Sequence, residues 1–91
     1  MELQNVRYFL ALFEEENFGR AARRCGIAQP SLTNAIRRLE QHVGGALFVR
    51  RPRVQPTPLA PALKPHFEQA IFALQLAQRA AGHVLARREQ R

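Results

Sequence analysis

The chain has 91 residues, a formal net charge of +7, a sequence pI near 11.5 and one cysteine. So short a chain forms one small domain with a modest core. No internal disulfide can brace it, so stabilising contacts are expected from another subunit. No apolar run reaches transmembrane length and no secretory leader is present, so the expectation is a cytoplasmic protein with no membrane partner.

Residues 3–16 place Leu3, Val6, Phe9, Leu10 and Phe13 at helical spacing, the apolar stripe of a first helix. Glu14-Glu15-Glu16 follows, read as a solvated helix end. Asn17 is a good N-cap, so a short second helix starts there with Phe18, Ala21, Ala22 and Cys25 inward. Gly26 ends it in the left-handed position, and Ile27 tucks under the turn. Gln29 and Pro30 open a third helix, because proline is tolerated in a first turn. That helix runs to about Val43, where Gly44-Gly45 stops it.

Leu47, Phe48 and Val49 suit a short strand and Val54-Gln55 a second, with Arg50-Arg51-Pro52-Arg53 as the hairpin tip. Pro52 and Pro56 keep these strands short and at an edge. Thr57 is expected to cap a fourth helix with Pro58 as its first residue. This helix runs to the late eighties, and Pro65 should bend or loosen its first turns. Two short helices joined by a tight glycine turn, with a basic second helix, form a helix-turn-helix. The fold class is therefore mainly α. Residues 1–57 form a winged helix-turn-helix, a three-helix core plus a short β-hairpin wing, and residues 58–91 form a long linker and dimerisation helix.

The charge is unevenly placed. Residues 17–56 hold eight arginines against Glu40, a net of +7, whereas residues 1–16 carry −3 and residues 57–91 carry +3. A basic middle segment is the footprint of a polyanion partner, the alternative being a solvated surface that aids solubility. Lys64 is the only lysine. Arginine suits bidentate phosphate and guanine contacts better than lysine does.

On the third helix, Leu32, Ala35, Ile36, Leu39 and Val43 share one side when projected at about 100° per residue. Pro30, Thr33, Asn34, Arg37 and Gln41 point the other way, with Arg38 beside them. A major groove admits one helix and presents donors, acceptors and thymine methyls. Asn pairs with an adenine edge, Arg with guanine, and the Thr methyl packs on thymine. Gln29, Pro30, Thr33, Asn34 and Arg37 are accordingly assigned to base readout. Ser31, at the helix N-terminus where free N–H groups favour phosphate, is assigned to the DNA backbone together with Arg38, Arg50 and Arg51. Arg53, at the wing tip, is assigned to the minor groove, whose negative potential attracts arginine in A·T-rich sequence. A merely solvated polar helix face is the competing reading.

In the last helix Leu63, Phe67, Ala70, Leu74, Ala77, Ala81 and Val84 recur at alternating spacings of four and three, a heptad seam. At ~1.5 Å per residue the helix is about 40 Å long, more than a small three-helix core can cover. A partner helix is therefore expected on the seam, against the alternative that it packs only on its own domain. Cys25 reads as a small buried hydrophobe rather than a redox switch. His42, His66 and His83 lack metal-ligand spacing. No cofactor is called for, and the absence of a nucleophile–base or carboxylate pair argues against catalysis.

The stretches LQNVRYFLAL, NFGRAARRCGIAQPSLTNAIRRLEQHVGGALFVRR and PTPLAPALKPH resemble the N-terminal winged helix-turn-helix domain of LysR-type transcriptional regulators. The likeness rests on Ala21-Ala22, Gln29-Pro30-Ser31-Leu32, Ile36, Leu39-Glu40, Gly44, Leu47-Phe48, Arg50, Thr57 and Pro65-His66, and covers essentially the whole chain. It implies sequence-specific binding of double-stranded DNA by a homodimer, paired through antiparallel linker helices at a pseudo-palindromic site. It also implies a C-terminal effector-binding domain, the only route by which a small molecule would act. That domain is absent from this chain, which is expected to be an excised DNA-binding half or, alternatively, a natural short form. The chain departs from the family pattern at Ala28, where a capping Ser or Thr is usual, and at Cys25, where Leu is usual. Asn34 stands where Arg is frequent, which would shift base preference toward adenine. Two further functions compete: a helical interaction module with an incidental basic surface, and an architectural nucleic-acid binder without sequence preference.

Overall fold

The computed structural model describes residues 1–89. The elements run α1 (Leu3–Glu15), α2 (Phe18–Cys25), α3 (Gln29–Val43), β1 (Phe48–Val49), β2 (Gln55–Pro56) and α4 (Leu59–Glu89). Local chemistry punctuates the first three helices. Asn17 caps α2: its Oδ1 accepts the Arg20 N–H at 2.8 Å. Gly26 ends α2 at φ +70°, and the Ile27 N–H then closes onto the Ala22 carbonyl at 3.0 Å, the helix-ending pattern a left-handed residue permits. Gly44 ends α3 in the same way at φ +88°, its N–H donating to the Glu40 carbonyl. Ala28 at the start of α3 makes no side-chain cap, as its lack of an oxygen requires.

The core gathers around Phe9, whose ring meets Phe48 of β1 at 5.6 Å and Phe67 of α4 edge-on at 5.3 Å. Leu12, Leu32, Ile36, Leu39 and Leu47 are fully buried around it. The stripe expected on α1 is too narrow. Leu3 lies 41% exposed, while Ala11 and Leu12 are buried. The reason is that α1 packs against α2, α3 and α4 together, so more than one of its faces is covered.

The hairpin pairs Phe48 with Pro56 and Val49 with Gln55, antiparallel. Both strands thus begin one residue later than periodicity predicts. Leu47 is drawn into the core, and its N–H donates to Glu40 rather than to a strand. Pro56 has no N–H, so the ladder passes to Thr57, whose N–H donates to the Leu47 carbonyl at 2.9 Å. Thr57 is not the side-chain cap expected of it. Its hydroxyl donates to the Ala46 carbonyl at 2.6 Å, latching the loop before β1, and α4 begins at Leu59.

α4 runs unbroken through Pro65 for 31 residues, about 46 Å at 1.5 Å per residue. Its first turns complete the core through Ala60 and Phe67, both buried. Beyond Leu74 every residue from 75 to 88 is exposed, and the molecule measures 60 × 25 × 19 Å. No helix among the described residues is long and apolar enough to cross a membrane.

Candidate nucleic-acid interface

α3 buries Leu32, Ala35, Ile36 and Leu39. Its opposite side is thereby fixed, and Gln29, Pro30, Thr33, Asn34 and Arg37 line one open depression on it. These are the five residues assigned to base readout, brought together on a rigid helix. A second depression, between the start of α1 and α3, is lined in part by Tyr8, Ser31, Asn34 and Arg38. Asn34 therefore stands on the ridge between the two, with the phosphate candidates Ser31 and Arg38 on its far side.

Ion pairing sorts the arginines of the basic segment. Arg24 Nη1 lies 2.7 Å from Glu14 Oε2 and 3.4 Å from Glu15 Oε2. Arg20 Nε lies 3.5 Å from Glu15 Oε1, and its Nη2 donates to the Glu15 carbonyl at 2.9 Å. The hydrogen bond to Glu14 holds the Arg24 guanidinium even further above the range in which it would lose its proton. The acidic run is thus not merely solvated: Glu14 and Glu15 pair with Arg20 and Arg24 of α2. Burial pushes the neighbouring Cys25 thiol up, with the Arg24 charge opposing, so the sulfur stays protonated at neutral pH.

Arg50 is also drawn inward. Its guanidinium lies 4.9 Å from the centre of the Phe18 ring, and Nη2 sits 3.9 Å from Glu40 Oε1. Its side chain keeps 35% exposure, so a role on phosphate would be shared with this internal one. Glu40, the one acid of residues 17–56, is a junction. Its Oε2 accepts the Leu47 N–H at 2.7 Å and the Phe48 N–H at 3.4 Å, joining α3 to the wing. No local pattern marks that role.

Arg51 and Arg53 are exposed at the hairpin tip, on either side of Pro52, whose preceding peptide bond is cis. The Gln55 amide oxygen accepts from Arg53 Nε at 2.8 Å when the amide is oriented to match donors with acceptors. Arg53 also borders a depression shared with Glu14, Glu15 and Glu16, a neighbourhood not evident from the sequence. Arg23, Arg37, Arg38, Arg51 and Arg53 are the arginines of residues 17–56 without an ion pair among the described residues.

On α4 the expected seam divides. Leu63 and Leu74 are half-buried and Phe67 is buried against the chain's own core, whereas Ala70, Ala77, Ala81 and Val84 are exposed. Phe67 thus belongs to the domain's own interior rather than lying free for a partner. Phe72 and Leu76, outside the seam, are 56% and 46% exposed. The heptad count misses both, because it follows one stripe and these lie on another face. His42, His66 and His83 are all exposed.

The family model for bacterial regulatory helix-turn-helix proteins of the lysR family matches residues 3–60. The chain belongs to that family. It is 47% identical over 74 residues to the probable cat1 operon transcriptional activator of Acinetobacter lwoffii, covering 81% of this chain and 24% of that protein. It is 52% identical over 63 residues to the transcriptional regulator TfdS of Cupriavidus pinatubonensis, covering 68% of this chain and 21% of the relative. The chain thus spans less than a quarter of the length of these curated relatives, which are named transcriptional regulators and not enzymes. Among solved structures, the BenM DNA-binding domain in complex with catB site 1 DNA superposes with a TM-score of 0.85 at 30% identity, over 92% of this chain and 96% of that one. Full-length OxyR from Pseudomonas aeruginosa gives 0.86 at 31% identity, over 91% of this chain and 28% of its own. The lysR-family assignment agrees with the helix order, the hairpin wing and the long last helix of the fold.

Proposed function

We propose that this chain is the sequence-specific, double-stranded-DNA-binding part of a homodimeric transcriptional regulator. The carrying observation is that Gln29, Pro30, Thr33, Asn34 and Arg37 share one open depression on α3 while the arginines of the basic segment without an ion pair among the described residues include Arg37, Arg38, Arg51 and Arg53. α3 enters the major groove, Ser31 and Arg38 hold phosphate beside it, and the wing reaches the minor groove with Arg53. Arg51 contacts phosphate, with Arg50 in reserve behind its contacts to Phe18 and Glu40. The BenM domain bound to DNA supports the reading, since the two chains match over nearly their whole lengths.

Within the chain we assign residues 1–57 to the DNA-binding head and 58–91 to the linker helix, with the first turns of that helix serving both. The exposed stretch of α4 pairs with its copy in a second chain through Ala70, Leu74, Ala77, Ala81 and Val84, with Leu63 at the seam's inner end. Phe72 and Leu76 are covered in the same assembly. A two-fold dimer requires a pseudo-palindromic site with half-sites about 34–36 Å or a multiple apart. Any effector would act through a domain of the longer protein, and the protein would work in the cytoplasm.

Titration of labelled duplexes at two salt concentrations tests this. A regulator keeps a preferred sequence at physiological salt. An architectural protein binds every duplex with a steep salt slope. An interaction module binds none, and that result would remove the reading.

A further inference from the structure

α2 carries three arginines, and the structure gives them two kinds of surroundings. Arg20 and Arg24 turn toward the end of α1, where Glu14 and Glu15 meet them. Arg23 turns to the other flank and has no acidic partner among the described residues. A Cβ built on Gly19 would lie 3.7 Å from Arg23 Nη1, 3.6 Å from Gln29 Oε1 and 3.3 Å from Asn17 Oδ1. The Arg23 guanidinium and the Gln29 amide therefore converge over the bare backbone of Gly19. That position joins Arg23 to the leading edge of the reading face, at the residue that opens α3.

We propose that Arg23 is a DNA-phosphate anchor, and that Arg20 and Arg24 on the same helix are not. The proposal rests on the DNA reading above. In a helix-turn-helix the first helix crosses the sugar–phosphate backbone while the second lies in the groove. A cation on the first helix, exposed and beside the start of the second, meets a phosphodiester there. Its planar fork suits two phosphate oxygens at once. At Gly19 the Arg23 and Gln29 side chains both lie against the α2 backbone, within ordinary contact distance of where a Cβ would stand, which places the Arg23 guanidinium beside the start of α3. Arg20 and Arg24 already have carboxylate partners, so bringing either to phosphate would strand Glu14 or Glu15 against the DNA.

The experiment measures affinity for a mixed-sequence duplex across a salt series, by anisotropy, for wild type, Arg23→Gln, Arg23→Lys and Arg24→Gln. Each phosphate neutralised contributes about 0.9 to the slope of log affinity against log salt. Arg23→Gln should lower that slope by about 0.9 for each reading head, and Arg23→Lys should restore most of it. Arg24→Gln should leave it unchanged. If wild type binds and Arg23→Gln keeps the full slope, or if the two Gln variants lose equal amounts, the assignment to Arg23 is wrong. If wild type binds no duplex at all, the DNA reading fails first, and the two failures are told apart by that control.

Discussion

The Glu40 carboxylate accepts the Leu47 backbone N–H at 2.7 Å, which joins α3 to the start of the hairpin. Leu47 is fully buried, and its N–H has no access to water as a substitute partner. The same carboxylate reaches Arg50 Nη2 at 3.9 Å, and Arg50 lies over the Phe18 ring. Three elements are therefore tied through one acid: α3, the hairpin and the start of α2.

Replacing Glu40 by alanine should leave the Leu47 N–H unpaired and destabilise the domain by about 1–3 kcal/mol. Glu40→Gln keeps a neutral acceptor and should cost less. Urea unfolding of the two variants checks this. An alanine variant within about 0.5 kcal/mol of wild type, the usual effect of a surface change, would mean that the junction carries no stability.

The helices were legible because their signals are local. Asn17, Gly26 and Gly44 act where their chemistry places them, and of the five residues that periodicity assigns inward α3 buries Leu32, Ala35, Ile36 and Leu39 and leaves Val43, in its last turn, half-buried. Of the outward set from the same projection, Pro30, Thr33, Asn34 and Arg37 fall into one depression, joined there by Gln29, while Gln41 lies outside it. What was not legible depends on contacts between distant positions. The strand register shifts because Leu47 is claimed by Glu40, and Thr57 leaves its expected capping role to hold Ala46. Arg20, Arg24 and Arg50 count as free charge in the composition but are paired in the fold. Phe67 fits a heptad and is nonetheless core, because α4 must first cover Phe9 before it leaves the head.

Asn34 stands on the ridge between two depressions of α3, exposed and with no side-chain hydrogen bond among the described residues. Asn34→Ala should lose roughly 1–3 kcal/mol on the preferred site and little on unrelated duplex. Competition binding with both duplexes measures the difference. Equal losses on the two would show that Asn34 reads no base.

Arg53 at the wing is expected to sense the A·T content that flanks the site. Changing flanking A·T pairs to G·C should weaken wild type more than Arg53→Ala. The comparison needs only four affinities, from two proteins on two duplexes. The same loss in both proteins would exclude Arg53 from the minor groove.

The projecting part of α4 exposes Phe72, Leu76, Val84 and Leu85, each between 46% and 58%. A solvated monomer gains nothing from such a helix, whereas a partner would bury it. The chain should therefore sediment as a dimer at micromolar concentration. Leu74→Glu strikes the seam but also sits partly against its own domain. Leu76→Glu is the cleaner probe, since that residue is exposed in the single chain. Both should shift the chain to monomer, and Leu76→Glu should do so without altering the unfolding of the head. A wild-type monomer, or a dimer indifferent to both changes, would place these apolar residues outside any interface.

Whether α3 reads base sequence as one half of a two-fold pair is decided by selecting bound sites from a pool of random duplexes. The predicted result is an enriched pseudo-palindrome whose half-sites lie whole helical turns apart, with the preference altered at matching positions of both halves by Asn34→Ala. Retention of duplexes by the chain with no sequence enriched after repeated rounds would contradict it, leaving a basic protein that holds DNA without reading it.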